Sequence, residues 1–271
     1  MTQAELDQQL GRWARMGYGS RGVIYLVIGG LALLAALGER GGQTTSSKGA
    51  MLKILEQPFG NVLFFLLIIG LLGYSTWRAI QCFKDPDGHG SSGKGLAVRT
   101  GLLISAVAHT ALAFWAAKLL IGAGSGGSLQ NGGNGFLTTN LGQIALGIAG
   151  IAVIVTGFAR IYKGATARFE KYMNIPSDKR RWARPVCQFG LIARGVVWLI
   201  IGWLLIKAAW LASGGEIGGT SEALAMLRDQ SYGRWLLGIV AAGLFSFGIY
   251  CFLEAAYRRI NCSIVDPGQN R

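Results

Sequence analysis

The stretch Ala14–Gly30, ARMGYGSRGVIYLVIGG, decides how the rest of the chain is read. It starts with cationic residues, crosses a glycine-punctuated segment and runs apolar to Leu37. A second copy lies 173 residues on, at Gly190-Leu191-Ile192-Ala193-Arg194-Gly195-Val196-Val197-Trp198. A third, weaker one lies 84 residues on, running from Arg99-Thr100-Gly101 through Ser105 to His109. One membrane-type segment is therefore used three times.

Working outward, six apolar runs stand out, at about 22–37, 60–80, 98–121, 141–159, 186–211 and 235–256. Most approach or exceed the ~20 residues that a helix needs to cross a hydrocarbon core of ~30 Å. None alternates strictly, which argues against a barrel. The composition agrees, because 51% hydrophobic and 14% charged residues do not suit a water-facing surface. The expected fold is an all-α integral membrane protein of six transmembrane helices, arranged as three tandem helix hairpins. The repeats divide as 1–92, 93–180 and 181–271 within a single membrane domain. Two crossings per repeat keep successive copies in the same orientation, so they are parallel repeats rather than inverted ones.

The net charge of +13 would fit nucleic acid, but its placement excludes that partner. Of the 26 lysines and arginines, 19 fall on the side of both termini, five on the other side, and Lys118 and Lys207 within helices. Cationic loops stay cytoplasmic, so both termini are expected inside a bacterial inner (plasma) membrane. The basic face would meet anionic headgroups there, making membrane lipids the expected partner, beside a membrane-protein partner or a second copy. The first apolar run resembles a signal peptide, but its copy deep in the chain favours a retained anchor. No lipidation signal is visible. Cys82, Cys187, Cys251 and Cys262 show no Cys-x-x-Cys pair, and disulfide, zinc and cofactor are not expected.

Between the first two crossings, Ala50–Gly60 matches Ala223–Gly233, and each is read as a short amphipathic helix on the outer surface with Leu52, Leu55 and Phe59 on its apolar face. Ser47 and Thr220 stand at matching cap positions. Asp85-Pro86-Asp87-Gly88-His89 is turn chemistry, too short for a calcium loop. The glycine-rich segment 122–140 reads as a linker. Gly142, Gly147, Gly150 and Gly157 suit close helix contact.

Residues four apart share a helix face. That spacing aligns Gly17, Arg21, Tyr25 and Gly29 with Gly190, Arg194, Trp198 and Gly202, while the middle copy has Ser105 and His109 instead of the cation and the aromatic ring. Arg21, Tyr25, Ser105, His109, Arg194 and Trp198, with Glu254 as counter-ion, form the candidate functional polar stripe. Lys118 and Lys207 occupy equivalent positions and, with Trp77 and Arg78, are the candidate interfacial anchors. From Arg194 to Lys207 is roughly 20 Å along a helix, so each charge lies about 5 Å inside an interface, within reach of snorkelling. Snorkelling is accordingly the expected state of Arg21 and Arg194 too. His109 lies deeper and is expected to hydrogen-bond across the repeat interface.

The run Ala-Arg-x-Gly-Tyr-x-x-Arg-Gly-Val-x-Tyr, echoed in Gly190–Trp198, resembles the bacterial membrane proteins of the domain of unknown function 1206 family. The resemblance implies tandem transmembrane helix pairs, usually three, and brings no activity with it. Few histidines, no paired intramembrane carboxylates and no nucleophile motif leave little for an enzyme. The expected role is structural or interaction-based at the basic inner face. A small-solute or ion pathway between the repeats is the alternative.

Overall fold

The computed structural model describes residues 3–38, 42–122, 140–210, 224–225, 228–229 and 232–260. The linker 123–139, Thr220, Cys262 and most of the second outer segment lie outside them. Seven α-helices account for most of the described chain: α1 (Gln3–Leu37), α2 (Ser47–Leu55), α3 (Gly60–Lys84), α4 (Gly93–Leu120), α5 (Asn140–Ala165), α6 (Ser177–Trp210) and α7 (Gly233–Tyr257). A short 3-10 helix, Arg168–Tyr172, joins α5 to α6. All but α2 are long and apolar enough to cross a membrane. In hydrocarbon an α-helix satisfies its backbone groups within one segment, which is why apolar runs of this length settle as helices.

α1 and α6 start well before their apolar runs, carrying the arginines of Arg12–Arg15 and Arg180–Arg184 on continuous helix rather than in loops. The six crossings pack in the order α4, α3, α1, α7, α6, α5. Each neighbouring pair in that order is closely packed, whereas α4 and α5, at the two ends, share no packed interface. The bundle is thus a ring opened at one seam.

The seams between repeats share one device. At position 15 and its copies, a side chain reaches the last carbonyls of the neighbouring helix. Arg15 Nη1 donates to the carbonyls of Ala255 and Ala256 at 2.6 and 2.7 Å. Arg99 Nε donates to Cys82 O at 2.7 Å, and Gln188 Nε2 to Ala165 O at 3.1 Å. The carbonyls of a helix's final turn lack intrahelical partners and carry its negative dipole end, so these donors satisfy them and the arginines also neutralise charge. The α5–α6 seam adds glycines face to face. A Cβ on Gly157 would stand 3.0 Å from Gly195 O, and one on Gly202 2.8 Å from Gly150 O. Small residues let these backbones approach where apolar burial alone gives no drive within lipid.

α2 differs from its sequence reading in face and cap. Ala50, Met51 and Ile54 are buried, whereas Leu52 and Phe59 are exposed. Ser46, not Ser47, is the N-cap, its hydroxyl accepting from Gly49 N at 3.3 Å. Hydrophobic spacing alone allowed either face, and the bundle selects the one that fills its end. Met51 and Ile54 join Leu224, Phe64, Ile28 and Leu237 in one apolar cluster that closes this half of the ring.

At the other end Phe169, on the 3-10 helix, is fully buried against Cys187, Leu191, Phe247 and Tyr250. Backbone bonds from Asn174 N to Tyr257 O and from Arg259 N to Tyr172 O tie that connection to the end of α7. Asp85 stops α3 in a left-handed conformation, φ 49°. Its carboxylate accepts from the backbone N–H groups of His89 and Gly90 at 2.8 and 2.6 Å. Desolvation acts to raise the Asp85 pKa, but those two donors hold it below the ordinary carboxylate value. The loop is therefore best held above that value and loosens as pH falls through the lowered one.

A cationic, aromatic-walled cavity

The repeated arginines do not reach an interface. Arg21 is 4% exposed and Arg194 5%, which corrects the snorkelling expectation for both. Position 21 turns inward because the helices on either side of α1, which are α3 and α7, leave it no path outward. Its guanidinium stacks near the rings of Tyr74, Phe247 and Tyr25 at 5.1, 5.0 and 5.7 Å, and Nη1 donates to Tyr74 OH at 2.6 Å. Arg194 lies 4.4 Å from both Tyr25 and Phe247 and 5.6 Å from Trp198. Trp198 in turn has Arg160 over its ring at 4.6 Å. Guanidinium over an aromatic face is worth more when desolvated, so three arginines are held here by four rings, three of them shared.

Four members of the sequence-read stripe, Arg21, Tyr25, Arg194 and Trp198, are thus brought together. Ser105 and His109 stand at its edge. His109 Nδ1 is 2.7 Å from Ser105 O on its own helix, and its ring packs on Tyr74 at 4.7 Å. The expected cross-repeat hydrogen bond is therefore replaced by a ring contact. Helix geometry explains this, since the i−4 carbonyl is the nearest acceptor.

Glu254 is not the counter-ion of the repeated arginines. Arg258 Nη1 donates to Glu254 Oε1 at 2.8 Å, and Arg258 Nη2 lies 3.2 Å from Asp87 Oδ2. Asp87 also accepts from Gln81 Nε2 at 2.5 Å. Arg258 is 5% exposed. Its signal was the Glu254–Arg258 spacing of four at the end of α7.

Trp77 does not anchor at an interface either. It is 2% exposed, with Nε1 donating to Tyr18 OH at 3.1 Å. Arg78 faces inward, donating from Nε to Tyr74 OH at 2.8 Å and from Nη1 to Gln81 Oε1 at 2.9 Å. Both belong to a polar cluster on the inner side of α3, where the expected headgroup contact is replaced by tyrosine hydroxyls. Lys118 and Lys207 are exposed, the Lys118 ammonium 5.0 Å from the Phe114 ring.

Arg21, Arg78, Glu254 and Arg258 line a cavity of about 520 Å³ at the basic end of the ring, walled by residues of all six crossings, whereas Tyr25, Ser105, His109, Arg194 and Trp198 are not among its lining residues. Seven cationic side chains line it, those of Arg21, Arg78, Arg160, Lys163, Arg168, Lys171 and Arg258, against the acids Asp87 and Glu254. Both acids are already engaged by Arg258. Among the described residues no carboxylate lies within 4 Å of a cationic nitrogen of Arg160, Lys163, Arg168 or Lys171, Lys163 interacting with Glu254 only at longer range, and the buried Nε atoms of Arg21 and Arg160 have no partner. An excess of cations in a partly desolvated cleft attracts an anion and favours one that accepts several hydrogen bonds. Sequence reasoning missed Arg160, Lys163 and Arg258 because all three sit at helix ends, where cations are ordinarily surface charges.

Fold and interior define a multi-pass, all-helical membrane protein built from helix-pair repeats around a cationic interior. The chain belongs to the family described as Domain of Unknown Function (DUF1206), which matches residues 16–85 and 189–258, two segments offset by the same 173 residues. It is 32% identical over 253 residues to an uncharacterized protein, YxxB, of Bacillus subtilis (strain 168), covering 92% of this chain and 91% of that protein. No solved structure matches it.

Proposed function

We propose that this protein binds a phosphate-bearing ligand in the cavity, at the cytoplasmic end of a bundle spanning the bacterial inner membrane. The observation that carries this reading is the cation excess, five lining cations beyond the two acids, both of which Arg258 engages. Arg21 and Arg160 supply planar donors to the cavity, and Lys163, Arg168 and Lys171 supply further charge. A volume of about 520 Å³ suits a glycerol phosphate or similar headgroup. The role is interaction-based rather than catalytic. A solute pathway is disfavoured because Met51, Ile54, Leu224 and their neighbours fill the opposite half of the ring.

The test is calorimetry with soluble glycerol 3-phosphate on the purified full-length protein. Each charge-assisted hydrogen bond is worth ~1.5–3 kcal/mol, so Arg160→Gln should weaken binding by about tenfold or more. Glucose, which has no charge, should not bind. The absence of heat with glycerol 3-phosphate at millimolar concentration, or an unaltered affinity in Arg160→Gln, would refute the reading. For orientation, a reporter fused after Lys179 should read cytoplasmic, and an external signal there would invert the assignment.

A further inference from the structure

Repeats 1 and 3 close their own helix pairs, and the middle repeat does not. In repeat 1, Gly17 lies against α3 so tightly that a Cβ would stand 2.4 Å from Tyr74 N. In repeat 3, Gly190 lies against α7, and a Cβ would stand 2.5 Å from Phe247 N. Tyr74 and Phe247 are themselves 173 residues apart, so this is one joint used twice. The middle copy keeps the glycine as Gly101 and an aromatic partner as Phe158, each 84 residues beyond its counterpart in repeat 1. Yet a Cβ on Gly101 would meet nothing within 4 Å, and Phe158 is 60% exposed. The joint is present in sequence and unmade in structure.

Both edges of this open seam are also walls of the cavity, with the apolar Val98 and Leu102 on α4 and the cationic Arg160 and Lys163 on α5. A soluble anion has no use for an apolar wall or for an opening toward the hydrocarbon. An amphiphile uses both, keeping its chains in lipid while its charged group enters the ring. Resting on the reading of the cavity as a phosphate site, we infer that the α4–α5 seam is a side portal and that the ligand is an anionic glycerophospholipid of the adjacent leaflet. Its phosphate sits among Arg21, Arg160 and Lys163, and its chains leave past Gly101, where repeats 1 and 3 have a helix. Ser105 belongs with this arrangement, since an arginine there would stand on the α4 edge of the portal, and the cation is instead supplied across it by Arg160.

The experiment compares lipid and soluble headgroup on the same protein. Wild type is reconstituted with phosphatidylglycerol and phosphatidylcholine, and the lipid retained after extraction is counted by native mass spectrometry. Glycerol 3-phosphate affinity is measured in parallel. Gly101→Trp fills the portal without touching a cation, and open space around it keeps the fold; Gly101→Phe does the same with a smaller ring, and Gly101→Ala is the control. Wild type and Gly101→Ala should retain phosphatidylglycerol over phosphatidylcholine. Each aromatic variant should lose about tenfold of that retention, equivalent to ~1.4 kcal/mol, with glycerol 3-phosphate affinity kept within about twofold. Undiminished retention in both aromatic variants would overturn the portal and leave the phosphate site standing. So would a wild type that binds glycerol 3-phosphate and shows no lipid preference, which would make the ligand a soluble phosphate compound. Binding of neither would overturn the site and the portal together.

Discussion

Gly17→Leu and Gly190→Leu should each destabilise the protein in detergent by about 3 kcal/mol or more, whereas Gly101→Leu should be neutral or slightly stabilising. At the first two positions even a Cβ would stand 2.4 and 2.5 Å from a backbone nitrogen on the facing helix, so no side-chain rearrangement relieves the clash. The helices must separate, and the hydrogen bond from Arg21 to Tyr74 goes with the first joint and the Arg194 stack on Phe247 with the second. At Gly101 the added side chain meets open space, and replacing glycine within a helix gains up to ~1 kcal/mol of propensity. Thermal unfolding of the three purified variants decides the matter. Equal destabilisation of all three would mean that the middle pair is packed like the others, and the open seam would be wrong.

Removing the carboxylate of Glu254 should cost about 3–5 kcal/mol, the price of leaving a buried charge without its partner. Glu254 and Arg258 are 3% and 5% exposed and lie 2.8 Å apart on successive turns of α7. In Glu254→Ala, Arg258 keeps of its two carboxylates only Asp87, at 3.2 Å, while the cavity loses one of its two acids. The double variant Glu254→Leu/Arg258→Met removes both charges and should recover much of the loss, because apolar groups of similar volume replace a buried pair at little net cost. A Glu254→Ala protein with unchanged thermal stability would show that Arg258 is hydrated rather than desolvated.

How much of this was legible beforehand varies by residue. The six crossings, their helical form and the equivalence of Arg21 with Arg194 were all readable, since length, apolarity and offset are local properties of the chain. The family match on 16–85 and 189–258 rests on the same offset. The roles of Trp77, Arg78 and Arg194 were not readable. A tryptophan or arginine near the end of an apolar run looks the same whether its side chain meets headgroups or a neighbouring helix. Trp77 found Tyr18, 59 residues away, and Arg194 found Tyr25, on a helix of another repeat.

The sequence by itself determined the number of crossings, the repeat and the concentration of cations at one end, because hydrophobic transfer and charge placement act on each segment separately. Tertiary structure alone decided which charges face inward and which repeat stays open. The same glycine is a packed joint at positions 17 and 190 and an empty one at 101, and no local property of Gly101 announces the difference. That outcome depends on where α5 goes after its linker, and it goes to α6, where a Cβ on Gly202 or Gly157 would crowd the carbonyl of Gly150 or Gly195. Close backbone contact along that seam holds α5 away from α4, and the open seam beside the cavity follows from that choice.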